Sequence, residues 1–255
     1  MRKVSFLFDP TLRKNYDRDG FLIAEALFDN SEMNEIRRRI DTLIAEPDHP
    51  PEGVTVGREG NTAGDRQSSL ARDDSVRSAA FLVRFLPFFQ DFARQAKLLE
   101  LVRGLIGPRI KVFRDQALFK PPGGQAKPPH QDQSYFLVEP ADELVTAWIA
   151  LDAATTENGC MCYIPGSHRH GVFPINKDPK RPVHHVPDTG KLALPDPVRC
   201  PVAAGSVIFH HGCTLHFSDD NRTDTWRKAV IFHYATADAC SANERLNQEV
   251  SLEID

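Results

Sequence analysis

The sequence predicts a mainly β fold, a sandwich or a double-stranded β-helix (jelly roll, cupin-like), with N-terminal helices packed on one outer face. Three observations carry this. After Pro108 the chain becomes a series of short β-rich runs separated by clusters of Pro, Gly, Asn and Asp. Before Pro108, apolar residues recur at helical spacing. Finally, 255 residues with 41% hydrophobic content can bury one full-sized core, and a barrel with helical additions would use nearly all of it. One domain over residues 1–255 is expected.

From Ser31 onward, Met33, Ile36, Ile40, Leu43 and Ile44 recur at spacings of three and four, with Arg37, Arg38 and Arg39 off that stripe. This predicts an amphipathic helix stopped by Pro47 and Pro50. A second helical stretch holds Leu98, Leu99, Leu101 and Val102 and ends at Gly104 and Gly107-Pro108. Between the two, residues 51–74 read as a mobile loop, so residues 1–106 are expected to be mostly helix and loop. The predicted strands cover 110–119, 145–151, 160–164, 207–210 and 229–235, inside a jelly-roll core at 107–236. Loop 172–200 carries Lys177, Lys180, Arg181, His184, His185 and several prolines, and its length, like that of 51–74, makes it a candidate lid over a substrate. Residues 237–255 are expected to form a C-terminal tail.

The net charge of -4 and the absence of a run of like charges exclude an electrostatic footprint for nucleic acid or an anionic membrane. A small-molecule partner is expected, and the sequence leaves the oligomeric state open. Asp9 interrupts the N-terminal apolar stretch too early for a signal sequence, and no span approaches the ~18 apolar residues of a membrane helix. The five cysteines are odd in number and lack CxxC spacing, which suits reduced thiols in a cytoplasmic protein better than a disulfide frame or a zinc site.

The chemistry centres on His130-Gln131-Asp132. On an extended strand, residues i and i+2 share a face, so an imidazole and a carboxylate at this spacing can hold one metal ion from one side. Two histidines and one carboxylate on one face of an octahedron leave three positions open, which suits oxygen chemistry. The pair alone carries little weight, because a chain of this composition yields about one such pair by chance. Its context, after the breaker-rich Lys120-Pro121-Pro122-Gly123-Gly124, carries more.

That whole stretch resembles the phytanoyl-CoA dioxygenase family. The matching pieces are Phe119-Lys120-Pro121-Pro122-Gly123, Pro129-His130-Gln131-Asp132, Ala147-Trp148-Ile149-Ala150-Leu151-Asp152 and Glu157-Asn158-Gly159-Cys160-Met161. They continue with Ile164-Pro165-Gly166-Ser167-His168-Arg169, Gly205-Ser206-Val207-Ile208-Phe209 and His216-Phe217-Ser218, with Asn221 and Arg227 beyond. The resemblance implies a jelly roll that uses Fe(II), 2-oxoglutarate and dioxygen to hydroxylate a C–H bond of a small molecule, releasing succinate and carbon dioxide. It implies His130, Asp132 and His216 as the catalytic metal ligands. Arg227 is implied as the partner of the distal carboxylate of 2-oxoglutarate, where a planar guanidinium fork binds bidentately and keeps its charge when buried. Ser218 is implied as a second donor to that carboxylate, Trp148 as an aromatic wall beside the cosubstrate, and Gln116 as a flanking contact. Related halogenases have a small residue at the position of Asp132, so its presence argues for hydroxylation.

Other histidines compete. His168 lies in a turn, where a side chain ties a loop down by hydrogen bonds more often than it binds metal. His210 and His211 are adjacent, so only one can face inward from a strand, and His211 is the main rival to His216. His184 and His185 read as exposed loop residues, with substrate contact as their sharper role. Two other functions stay open: a jelly-roll metalloenzyme that does not use 2-oxoglutarate, and a noncatalytic binding module of the same fold. Arg227 with Ser218 speaks against the first, and the intact ligand set against the second.

Overall fold

Local signals start the long N-terminal helix one residue before Ser31. The Asp29 carboxylate accepts from the backbone N–H groups of Ser31 and Glu32, and the Glu32 carboxylate accepts from the Asp29 N–H, a reciprocal cap. The computed structural model describes residues 8–58, 76–176 and 185–254. Its helices before the barrel are α1 (Pro10–Asp19), α2 (Asn30–Ala45), α3 (Leu82–Phe85), α4 (Pro87–Ala93) and α5 (Ala96–Ile106). Two short ones follow, α6 (Gln133–Phe136) and α7 (Glu244–Gln248).

The strands in chain order are β1 (Phe21–Ala24), β2 (Thr55–Arg58), β3 (Val76–Ala80), β4 (Ile110–Lys120), β5 (Lys127–His130), β6 (Val138–Glu139), β7 (Leu144–Ala150) and β8 (Met161–Tyr163). They continue as β9 (Ile175–Asn176), β10 (Val186–Pro187), β11 (Val198–Cys200), β12 (Val207–His211), β13 (His216–Ser218), β14 (Arg227–Thr236), β15 (Cys240–Ser241) and β16 (Leu252–Ile254). A large antiparallel sheet runs β1-β12-β7-β14-β4-β3-β2, with β16 also paired to β4. A small one runs β11-β8-β13-β5. Together they form the double-stranded β-helix.

The period-2 alternation of the large sheet separates structure from chemistry. Val145, Ala147 and Ile149 of β7, and Val230, Phe232 and Tyr234 of β14, pack in one core with Met33 and Ile36 of α2 and Leu98 and Val102 of α5. The intervening residues Thr146, Trp148, Arg227, Ile231 and His233 face the opposite way and line a cavity shared with the small sheet. The helices thus cover one face, and the other face carries the site.

Three expectations need correction. The first hundred residues contribute three strands to the large sheet, including β2, which falls inside the expected loop 51–74 and pairs with β3. Loop 172–200 contains the β9–β10 pair, and its end, β11, is an edge strand of the small sheet. Residues 59–74, expected as part of the mobile loop, and Lys177, Lys180, Arg181 and His184 lie outside the described residues. The expected tail 237–255 is structural: β16 pairs with Ile110–Val112 of β4, beyond the stretch that β3 covers, and Ile254 is buried. Two alternating apolar residues, Leu252 and Ile254, are too short a pattern to read as a strand without that pairing.

Candidate active site

His130 ends β5 and His216 begins β13, and the antiparallel register sets these two residues directly opposite each other. Each imidazole is tied by Nδ1 to a carbonyl two residues upstream, His130 to Pro128 at 2.9 Å and His216 to Thr214 at 3.0 Å. A neutral ring that donates from Nδ1 presents a lone pair at Nε2. Both Nε2 atoms face Oδ1 of Asp132, at 3.9 and 3.6 Å.

Asp132 does not reach this place along a strand, as the spacing argument supposed. Its backbone is helical (φ -60°, ψ -38°) and starts α6, so the chain turns between the two ligand candidates. Gln131, between them, fixes that turn. It is fully buried, donates from Nε2 to the carbonyls of Gly171 and Cys213, and accepts from the N–H of Phe173.

The candidate ligand atoms of His130, Asp132 and His216 all lie within 4.8 Å of one another. Burial, reinforced by His216 and Lys127, holds the His130 imidazole well below its usual range. Burial and His210 bring His216 down to about 4. Burial opposes ionisation of Asp132, but its imidazole neighbours and the hydrogen bond from His210 outweigh it and hold the carboxyl well below the usual carboxylate range. Two neutral imidazoles and one carboxylate are the donor set that suits a first-row divalent ion such as iron(II).

The other end of the cavity is cationic. Arg227 is buried, its Nε has no hydrogen-bond partner, and no carboxylate among the described residues pairs with its guanidinium. Burial and nearby Arg77 pull it down to about 9, which leaves it protonated at neutral pH. Its Cζ lies 5.5 Å from the Trp148 ring centre. Ser218 lines the same cavity and accepts a hydrogen bond at 2.8 Å from Nζ of Lys120, the residue opposite Arg227 in the β4–β14 register. A buried guanidinium without a counterion is costly. Together with Ser218 it fits a carboxylate that enters from the cavity, whose volume is about 410 Å³.

Against known proteins, the family model for phytanoyl-CoA dioxygenase (PhyH) matches residues 16–229. The chain belongs to the phytanoyl-CoA dioxygenase family. It is thereby an iron(II)- and 2-oxoglutarate-dependent dioxygenase, and the donor set and anion site just described fit both groups. Phytanoyl-CoA dioxygenase domain-containing protein 1 of Rattus norvegicus is 30% identical over 89% of this chain and 90% of its own. The non-heme alpha ketoglutarate dependent epimerase SnoN from nogalamycin biosynthesis superposes with a TM-score of 0.72 at 24% identity, covering 93% of this chain and 89% of that one. EctD from S. alaskensis, solved with 2-oxoglutarate and 5-hydroxyectoine, gives 0.70 at 21% identity over 92% and 79%.

Within this phytanoyl-CoA dioxygenase fold, the remaining histidines take separate places. His211 is not in the ligand group: its Nδ1 accepts from the Cys213 N–H, and its ring packs near Tyr16 and His168. The turn at 165–169 is tied by Ser167, which donates to Ile164 and accepts from Leu215, rather than by His168. His185 is half-buried, not exposed, and stacks on Tyr135 at 4.1 Å between ring centres. Gln116 lines the cavity four residues along β4 from Lys120, and its amide nitrogen lies 3.2 Å from His233 Nε2. Lys120, Thr146 and His233 were not singled out from sequence, and of the adjacent pair His210 and His211 it is His210 that faces Asp132, with Nε2 3.0 Å from Oδ2. The alternation of β4, β7 and β14 holds the signal for Lys120, Thr146 and His233, because each shares its face with a cavity residue two positions away, Leu118, Trp148 and Ile231.

Proposed function

We propose that this dioxygenase hydroxylates a C–H bond of a small organic molecule, with iron(II) held by His130, Asp132 and His216 and 2-oxoglutarate held by Arg227 and Ser218 against Trp148. The observation that carries this reading is Arg227, a buried guanidinium lining the cavity with no carboxylate partner among the described residues. When bound, iron and 2-oxoglutarate with dioxygen supply the oxidation and release succinate and carbon dioxide. The protein holds, orients and shields. Neutral imidazoles offer Nε2 lone pairs, Arg227 and Ser218 fix the distal end of the cosubstrate, and Met161, Ile231, Leu118 and Phe136 keep the reacting region apolar.

A jelly-roll metalloenzyme without 2-oxoglutarate would leave Arg227 with no carboxylate partner among the described residues, which disfavours that alternative. Loop 172–200 is the proposed lid, since His185 stacks on the cavity residue Tyr135. A cytoplasmic setting is part of this proposal, on the odd number and spacing of the five cysteines. Among the described residues no helix is long and apolar enough to cross a membrane.

The test has two stages. Titrating 2-oxoglutarate into anaerobic iron(II) protein should produce the visible absorption band of a keto-acid chelate, and its absence would remove the cosubstrate from the reading. A panel of small molecules is then screened for stimulated succinate release, and the product is made under ¹⁸O₂. One ¹⁸O atom in the product supports hydroxylation. A product without it would show that the chain oxidises without oxygen insertion.

A further inference from the structure

The two carboxylate oxygens of Asp132 have different surroundings. Oδ1 faces the Nε2 atoms of His130 and His216. Oδ2 lies 2.6 Å from Thr146 Oγ1 and 3.0 Å from His210 Nε2. An ionised carboxylate only accepts, so the Thr146 hydroxyl and the His210 Nε2–H both donate to Oδ2.

These two bonds fix the protons further out. Thr146 has one hydrogen and uses it on Oδ2, so its 2.9 Å contact with His233 Nδ1 is donated by the imidazole. A neutral His233 then carries its proton on Nδ1 and accepts at Nε2 from the Gln116 amide nitrogen at 3.2 Å. On the other side, a neutral His210 protonated at Nε2 accepts at Nδ1 from the Tyr163 hydroxyl at 3.0 Å. Thr146, His210, His233 and Tyr163 are each at most 1% exposed, so solvent does not compete for these bonds.

We propose that two hydrogen-bond branches, Gln116–His233–Thr146 and Tyr163–His210, converge on Oδ2 and hold Asp132 to a single metal-directed oxygen, Oδ1. The inference rests on the ligand assignment proposed above. An Asp132 free to rotate would offer both oxygens and take up a position that the cosubstrate and dioxygen need, since three protein bonds leave only three. The five residues are positioning residues: none is assigned a place on the metal. Gln116 carries one branch to the cavity wall.

Two measurements on the full chain test this, neither of which needs turnover. In zinc-loaded protein, long-range proton–nitrogen NMR correlations should find His233 protonated on Nδ1 and His210 on Nε2. A proton on Nε2 of His233 would overturn the proposal. Next, Thr146→Val keeps the shape and deletes the donor. It should weaken Fe(II) binding roughly ten- to a hundredfold, the usual range for removing an outer partner of a metal ligand, and Thr146→Ser should restore most of it. Affinity equal to wild type in Thr146→Val, or no rescue in Thr146→Ser, would overturn it. Thermal melting of each variant separates loss of metal from loss of fold. Should Thr146→Val fail to fold, the wild-type tautomers decide. Asp132→Ala keeps the two readings apart: full Fe(II) affinity there removes the ligand assignment, whereas a large loss there with none in Thr146→Val removes only the branches.

Discussion

Lys120 Nζ donates to the Ser218 hydroxyl at 2.8 Å, so Ser218 keeps its own hydrogen for a group in the cavity. Lys120 also donates to the Asp219 carbonyl and is 1% exposed. A neutral amine still has two N–H groups for these two bonds. Burial, aided by the nearby Arg227 and Arg77 charges, brings its pKa down from 10.5 to about 6. Between pH 6 and 10.5 the unfolded chain therefore holds one proton more than the folded one at this residue, and stability rises with pH there. Below pH 6 both forms are protonated, and the penalty of burying the charge is felt in full. Urea unfolding across pH 6–9 should show this contribution, at most about 1.4 kcal/mol per pH unit, and Lys120→Met should remove it. Binding of the 2-oxoglutarate dianion near Lys120 should raise its pKa, so calorimetry at pH 8 in two buffers should detect proton uptake. Proton release, or none, would place Lys120 outside the reach of the cosubstrate.

The ligand assignment is tested by contrast. His130→Ala, Asp132→Ala and His216→Ala should each abolish 2-oxoglutarate turnover and sharply weaken Fe(II) binding, since each removes one of three protein bonds. His211→Ala should keep the metal, because its Nδ1 is taken by the Cys213 N–H. Its cost should appear in stability instead, about 1 to 3 kcal/mol for the buried donor left unpaired. Equilibrium dialysis with Fe(II) and a urea melt on the same four proteins separate the two effects. A His211→Ala protein that loses metal while His216→Ala retains it would reverse the assignment.

Gly205 ties the N-terminal segment to the barrel. It has φ +84°, its carbonyl accepts from the Phe28 N–H at 2.9 Å, and a Cβ there would stand 2.1 Å from the Phe28 carbonyl oxygen. Gly205→Ala combines left-handed strain of roughly 1–2 kcal/mol with that backbone clash. A total loss above about 2 kcal/mol is expected, a fall in Tm of roughly 4 to 8 °C. The Tm of the metal-free protein measures it directly, and an unchanged value would mean that the Phe28 segment moves aside freely.

The fold was readable where a pattern is local and long. Met33, Ile36, Ile40 and Leu43 mark one helix face, and all four are buried in α2. The five β-rich runs mark β4, β7, β8, β12 and β14 to within two residues at each end. What sequence hides is non-local pairing. Leu252 and Ile254 become a strand only because β3 leaves the Ile110–Val112 end of β4 open on the edge away from β14, and Thr55–Arg58 only because β3 lies beside it. The candidate site divides the same way. His130, Asp132, His216, Ser218 and Arg227 line one cavity, as the family resemblance implied. The helical turn at Asp132 and its Gln131 anchor were not visible, because the carbonyls that Gln131 binds belong to residues 40 and 82 positions away. Lys120 went unread because the sequence ends that strand at Phe119, one residue short of the inward-facing lysine.

Arg227 gives the most discriminating prediction, because it separates a 2-oxoglutarate enzyme from other metal-bearing jelly rolls. It is 3% exposed and lacks a carboxylate partner among the described residues, which suits a counterion that enters from the cavity. Truncating one member of a buried, hydrogen-bonded charge pair costs roughly 2 to 5 kcal/mol, chiefly because the other charge is left unpaired. At 1.4 kcal/mol per tenfold, Arg227→Ala should weaken 2-oxoglutarate binding by about thirtyfold to several thousandfold. Arg227→Lys should fall between the two, since an ammonium keeps the charge but loses the planar fork. Fe(II) affinity should not change in either variant, because the guanidinium belongs to the opposite end of the cavity from the ligand group. The readout is the chelate band in anaerobic iron(II) protein, titrated with 2-oxoglutarate. An Arg227→Ala protein that reaches half-saturation at the wild-type concentration would make the arginine structural. One that loses Fe(II) as well would mean that the two ends of the cavity are not independent.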